Sequence, residues 1–166
     1  MFIAPQSTSD IAVQKSEILA PNFSGTVVIL ISWSSGKALD VRDLSKDDGA
    51  KIQQWTKHGG ANQQWRFDLR NGGWTITSIS SGKVLEVPGF SNNDGAQIQQ
   101  WSYNGGNNQL WRPGFIIVGS RQSVTLQNVA SHKNLDLPGF SNDNGTIIQQ
   151  WSYTGNKNQV WEMEYV

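Results

Sequence analysis

Cysteine is absent, so no disulfide can hold the chain together and no thiolate can serve as nucleophile or metal ligand. Histidine is scarce: His58 and His132 are the only two, with no metal-binding spacing between them. Charge is sparse and balanced. Thirteen basic and thirteen acidic residues cancel, and charged residues make up 16% of the chain, which argues against nucleic acid or an anionic membrane as a partner held by bulk charge. The longest apolar run, Val27 to Ile31, is far too short to span a bilayer, so no membrane insertion is expected. The opening MFIAPQSTSD lacks the basic-then-apolar order of a secretory signal. Sustained helical periodicity with caps is missing too, Ile11 to Leu19 being the one weak stretch. What remains is a chain of 166 residues, enough for one domain with a real core, with eight tryptophans and abundant Gly, Asn, Gln and Ser.

Those residues are organised by repetition. IQQWTKHGGANQQW (Ile52 to Trp65) returns as IQQWSYNGGNNQLW (Ile98 to Trp111) and IQQWSYTGNKNQVW (Ile148 to Trp161). Upstream, SSGKALDV, SSGKVLEV and ASHKNLDL also recur. An acidic residue (Asp40, Glu86, Asp136) precedes the first Trp of each copy by 15 positions, and that Trp precedes the second by ten. Length varies only between the second Trp and the next acidic residue, where the third copy has four extra residues around RPGFIIVGSRQS. A rigid unit joined by an insertion-tolerant linker is the expectation. The repeats divide the chain into an N-terminal arm over 1–24 and a domain over 25–166, with copies at about 25–70, 71–119 and 120–166.

Each copy reads as short strands. TVVILIS, WTITSIS and VTLQNVA are rich in β-branched residues and flanked by turn residues. Asp48-Gly49, Asp94-Gly95 and Asn144-Gly145 are hairpin signals. Gly36 and Gly82 mark a second tight turn; His132 takes their place in the third copy, where a left-handed conformation is less easily accommodated. Three units of four strands cannot each bury a face alone; closed around a threefold axis they share one core. The second tryptophans, Trp65, Trp111 and Trp161, are expected inside it, with Ile52, Ile98, Ile148 and Leu39, Leu85, Leu135. Lys37, Lys83 and Lys133 read as solvated turn residues.

On these motifs the chain resembles the ricin-type β-trefoil lectins, with their three QxW repeats, here Gln63-Gln64-Trp65, Gln109-Leu110-Trp111 and Gln159-Val160-Trp161. The resemblance runs from about Gly25 to Val166. It implies an all-β, twelve-stranded β-trefoil with three pseudo-symmetric repeats and up to three shallow sugar sites, galactose, GalNAc or related glycans being frequent ligands. It also implies a non-catalytic lectin, a targeting module of a hydrolase or toxin, or a homodimer, acting outside the cell or as a leaderless cytoplasmic lectin. No cofactor is expected.

The residue chemistry suits a neutral sugar. A carboxylate can accept from two adjacent hydroxyls. A carboxamide both donates and accepts. An indole removes the C–H face of the ring from water at about 25 cal/mol per Å². Carried over by position, the first site is Asp40, Trp55, Asn62 and Gln63, with His58 edging it and Gln63 orienting its neighbours. The third is Asp136, Trp151, Asn158 and Gln159. The second has Glu86 in place of Asp, with Trp101, Asn108 and Gln109, and is the weaker match, because one added methylene moves the carboxylate by about 1.5 Å. Phe90 and Phe140 of the two PGFS loops either widen the apolar platform or cap the core; Leu44 stands in their place in the first copy. Alternatively, Asp40 and Asp136 hold backbone amides in a turn, and Trp55, Trp101 and Trp151 pack sideways as structural plates. Catalysis is disfavoured, because the recurring acids are spread around a threefold axis instead of paired across one cleft. A protein-binding scaffold is a third reading, but it leaves the Asp, Trp and Asn pattern without a purpose.

Overall fold

The computed structural model describes residues 13–14 and 21–166. The weak helical stretch Ile11 to Leu19 and the flexible reading of APQSTSD lie outside these residues, apart from Val13–Gln14, which form the short strand β1. Twelve strands follow, four per copy. The first copy holds β2 (Thr26–Ser32), β3 (Ala38–Val41), β4 (Ile52–Trp55) and β5 (Trp65–Arg70). The second holds β6 (Gly73–Ser78), β7 (Val84–Glu86), β8 (Gln99–Trp101) and β9 (Trp111–Val118). The third holds β10 (Arg121–Asn128), β11 (Asn134–Asp136), β12 (Gln149–Trp151) and β13 (Trp161–Tyr165). The trefoil therefore has its twelve strands, and β1 is a thirteenth, paired antiparallel with β9 through Val13↔Ile116 and Gln14↔Phe115.

Six strands close on themselves in the order β2, β5, β6, β9, β10, β13 and back to β2, every pair antiparallel. The hairpins β3–β4, β7–β8 and β11–β12 cap one end of this barrel. They meet at the pseudo-threefold axis in a ring of backbone bonds: Ile52 N–H donates to Ile98 O at 3.1 Å, Ile98 N–H to Ile148 O at 2.9 Å, and Ile148 N–H to Ile52 O at 2.9 Å. Closure leaves the barrel strands no free edge. The four extra residues of the third copy lengthen a hairpin: β9 and β10 have eight residues each, against six in β5 and β6.

The three QxW tryptophans are wholly buried. Each indole N–H, which burial would otherwise leave unpaired, donates to a backbone carbonyl: Trp65 to Leu39 at 2.9 Å, Trp111 to Leu85 at 3.1 Å and Trp161 to Leu135 at 3.3 Å. Around them pack the expected isoleucines and leucines. The core also takes in Phe23, from ahead of the first repeat, which meets the rings of Phe67, Trp74 and Tyr165 edge-on.

Two readings of the turns need correction. Asp48-Gly49 and its counterparts do not close two-residue hairpins. β3 and β4 first pair at Val41↔Ile52, so the connection is ten residues long, and the dipeptide lies at its far end against the next repeat. Gly49 N–H donates to Gln100 O (2.8 Å), Gly95 to Gln150 O (2.8 Å) and Gly145 to Gln54 O (2.9 Å). The left-handed φ of 87–88° at all three is what the dipeptide supplies. The lysines are not all solvated either. Lys83 Nζ lies 3.1 Å from Asp48 Oδ1, and Lys133 Nζ 3.0 Å from Asp94 Oδ1, each joining two repeats. At the third junction Asn144 replaces the aspartate and bonds Thr56 instead.

The second glutamine of each IQQW locks the same junctions. Gln54 is fully buried, accepts from Ser35 Oγ at 2.7 Å, and donates to Ser141 O and Asp143 O at 3.0 and 2.9 Å. Gln100 and Gln150 repeat this pattern one copy on.

The long connections open with a left-handed pair. Gly89-Phe90 and Gly139-Phe140 have φ near 60° and 54°, closed by Ser91 N–H to Pro88 O and Ser141 N–H to Pro138 O, both 3.1 Å. In the first copy the same backbone is forced on Asp43 and Leu44 (φ 57° and 55°). Asp43 carries the steric cost that glycine avoids, so Asp43→Gly should stabilise the fold by about 1 kcal/mol. A urea titration showing no upward midpoint shift would contradict this.

Candidate functional site

The register of each β3–β4-type hairpin brings the recurring acid and the first tryptophan to one face. Asp40 pairs with Gln53, and Trp55, two residues further along the strand, points the same way. Trp55, Trp101 and Trp151 are 40%, 38% and 39% exposed, so they are not internal plates. Each leans its Cζ3 edge on the neighbouring repeat: Cβ positions built at Gly145, Gly49 and Gly95 would lie 3.9, 3.6 and 3.7 Å from the Cζ3 atoms of Trp55, Trp101 and Trp151. One edge is fixed and one face stays open.

The acids are held below them. Asp40 is 2% exposed and accepts from Gln53 Nε2 on Oδ1 (3.0 Å) and from Asn62 Nδ2 and Gln63 Nε2 on Oδ2 (both 3.0 Å). Asp136 repeats the set with Gln149 (2.9 Å), Asn158 (3.2 Å) and Gln159 (2.9 Å). Two amides of each set come from the short 3-10 turns Ala61–Gln63 and Lys157–Gln159, where the NQ of the motif falls, and the third, Gln53 or Gln149, from β4 or β12. They fill three of a carboxylate's roughly four acceptor positions and leave one on Oδ1. Gln63 is wholly buried and also ties down its own loop, donating to Thr56 O at 3.1 Å and accepting from His58 N at 2.9 Å. It orients the carboxylate and is not itself open to a ligand.

Burial away from water raises the pKa of both Asp40 and Asp136 above the usual 3.8. The amide hydrogen bonds, and at Asp40 the nearby His58, pull the other way; the Asp94 carboxylate adds to the rise at Asp136. His58 Nε2 lies 3.7 Å from Asp40 Oδ2, while Nδ1 accepts from Gly60 N–H at 3.0 Å. In the neutral ring this places the proton on Nε2, facing the carboxylate. Asn62, Asn108 and Asn158 each keep a buried Oδ1 without a partner. At Gly60 and Gly106 a Cβ would stand 3.1 and 2.6 Å from that oxygen, so glycine allows the close approach there.

The second site is assembled differently. Glu86 accepts from Gln99 at 2.8 Å and Gln109 at 2.7 Å, but Asn108 Nδ2 donates only to Val87 O at 2.9 Å, a backbone contact that Asn62 and Asn158 make in addition to their carboxylate bond. The longer side chain exchanges the Asn contact for a carboxylate with two amide bonds instead of three.

Opposite each tryptophan stands the second residue of the left-handed pair. Phe90, Phe140 and Leu44 are 55%, 51% and 61% exposed, so they do not cap the core. A groove of about 300 Å³ runs between Phe140 and Trp151 over Asp136, Gln149 and Asn158. One of about 570 Å³ runs between Leu44 and Trp55 over Asp40, Gln53 and Asn62, edged by His58. The structure thus brings every named residue of the first and third sites into one cluster each. It adds Gln53, Gln99 and Gln149, which sequence reasoning missed, although two-residue alternation from the exposed tryptophan places them on its face. Among the described residues no group of His, Asp and Glu could hold a metal ion.

Comparison with known proteins agrees with this fold. A ricin-type beta-trefoil lectin domain-like family model matches residues 14–101, 61–151 and 107–166, advancing by one repeat each time. The designed threefold-symmetric protein ThreeFoil is 40% identical over 84% of this chain and 99% of its own, with a TM-score of 0.78. An exo-β-1,3-galactanase from Clostridium thermocellum, 1,3Gal43A, is 38% identical with a TM-score of 0.77, over 85% of this chain but only 30% of that one. The ricin B-like lectin of Macrolepiota procera, solved with lactose, shares the fold at 23% identity and a TM-score of 0.71, over 86% of this chain and 97% of its own. The chain belongs to the ricin-type beta-trefoil lectin domain-like family.

Proposed function

We propose that the chain is a non-catalytic glycan-binding module that holds neutral sugars of the galactose type at its first and third sites, with the second weaker. The observation that carries this is a buried, amide-held carboxylate beneath a tryptophan face left open to solvent, built twice from the same residues. A sugar hydroxyl donates to the remaining position on Asp40 or Asp136 Oδ1. The C–H face of the ring covers Trp55 or Trp151, and Leu44 or Phe140 closes the far side of the groove. Glu86, with its altered amide set, presents the hydroxyls at a shifted position, which supports the lower rank of that site. The similarity to a lectin solved with lactose and to part of a galactanase supports a galactose-type ligand. It equally suits a module attached to an enzyme or toxin, and action outside the cell.

Titration with galactose or lactose, followed by tryptophan fluorescence, tests the reading. The wild type should respond, and Asp40→Ala with Asp136→Ala should not. A response that survives the double variant, or a wild type that ignores both sugars, would overturn it. The pH profile is a second check. The acceptor must be ionised, and burial raises both pKa values, so binding should fail on acidification at a pH above that of an ordinary aspartate. Because the folded state takes up these two protons more readily than the unfolded chain, these groups favour the fold increasingly as pH drops through their raised pKa. Binding should therefore be lost while the near-ultraviolet circular dichroism is still native.

A further inference from the structure

The hairpins β5–β6 and β9–β10 correspond residue by residue: Trp65↔Ser78 matches Trp111↔Asn128, and Asp68↔Thr75 matches Gly114↔Thr125. On the outer face of the first, Arg66 is paired with Asp68, Nε to Oδ2 at 2.8 Å. Arg70 covers the ring of Tyr103 at 4.9 Å and reaches Thr75 Oγ1 at 3.3 Å. In the second hairpin, Gly114 stands at the position of Asp68 and Ile116 at that of Arg70. Among the described residues Arg112, the counterpart of Arg66, consequently has no carboxylate partner and no cation covers the exposed ring of Tyr153. Gly114 is not in the left-handed region, but a Cβ there would stand 2.5 Å from Thr125 Oγ1, so a side chain fits only once the Thr125 hydroxyl rotates away.

The missing side chains leave a groove of about 430 Å³, lined by Arg112, Gly114, Thr125, Gln127, Asn134 and Tyr153. Asn134 is 3% exposed and stands where the other copies have Ala38 and Val84. Its side-chain amide enters none of the hydrogen bonds among the described residues and is not one of their fully enclosed unpartnered polar groups, so its polar end is open to the groove. Gln127 donates to His132 O at 3.1 Å and keeps its Oε1 free to accept. This groove differs chemically from the two tryptophan-lined ones: it has no acid, and a cation takes the acid's place.

We propose that it is a further glycan subsite, specific for a carboxylated pyranose such as a hexuronate. The ligand's carboxylate pairs with Arg112 as Asp68 pairs with Arg66. Its C–H face lies on Tyr153, and its hydroxyls meet Asn134 and Gln127.

The test is an NMR titration of the full chain with galacturonate, with galactose and acetate as separate arms. Galacturonate should shift the Asn134 side-chain amide and the Arg112 Nε–H, and saturating galactose should not displace it. Arg112→Gln should weaken galacturonate about tenfold or more, since a hydrogen-bonded ion pair is lost. Gly114→Asp, which restores the internal carboxylate, should weaken it as much. Both variants should keep the wild-type galactose response, which separates failure here from failure of the tryptophan sites. Galacturonate acting only on the Trp55 and Trp151 indoles, unchanged affinity in Arg112→Gln, or acetate binding as tightly as galacturonate would each overturn the proposal.

Discussion

Trp55→Ala and Trp151→Ala together should leave a folded protein that no longer holds to a galactose-bearing surface, while either change alone should cut retention by about 10²–10⁴. A lone shallow site of this kind holds its sugar at about millimolar strength, near −4 kcal/mol. Covering a large apolar ring contributes roughly 1.5–3 kcal/mol, so deleting the indole removes most of what one site has. A surface, however, is held by two sites on one rigid body, and losing one site loses the linkage as well. Fold stability should change little, because these rings are more than a third exposed and touch the body along one edge. Calorimetry with free galactose should show the stoichiometry drop by one site per substitution. Surface retention should collapse at the first substitution. Retention that falls only in proportion to stoichiometry would mean the two sites do not engage one surface together.

Gln150→Ala should destabilise the fold by about 3 kcal/mol, as should the same change at its counterparts Gln54 and Gln100. Three hydrogen bonds disappear: Ser131 Oγ–H to Oε1 at 2.7 Å, and Nε2–H to Ser91 O and Asn93 O, both at 2.9 Å. Each contributes about 1 kcal/mol net, and the two carbonyls are left facing a cavity that no side chain fills. Against a total stability of about 5–15 kcal/mol this is a large share. The variant also releases the loop from Pro88 to Gly95, which carries Phe90 at one end and the glycine behind Trp151 at the other. Galactose affinity at the third site should fall with it, while the first site keeps its response. A urea midpoint that moves by the equivalent of less than about 1 kcal/mol would show that the clamp is dispensable.

The sequence carried the architecture because the repeat keeps strict internal spacing: Asp40 to Trp55 to Trp65 recurs without a gap, and closing three such units around an axis buries a common core. The site was legible at the level of residue class. Less visible was the division of labour in Gln53-Gln54. Both are amides next to a tryptophan, yet one holds the site's carboxylate and the other clamps the neighbouring repeat, a difference set by strand alternation. The partners of Lys83 and Lys133 were not legible, since they sit one repeat earlier and depend on how copies meet around the axis. Nor was the part played by Gly114, because an absent side chain acquires meaning only when its equivalent in another hairpin is seen to fill the space.

Each β3–β4-type connection serves two neighbours: Leu44 at its start walls its own groove, and Gly49 at its end backs the tryptophan of the next copy. Ownership of a groove is thus split across consecutive copies. A single excised repeat would carry only fragments of two grooves, and would complete a recognition surface only by assembling with other copies of itself.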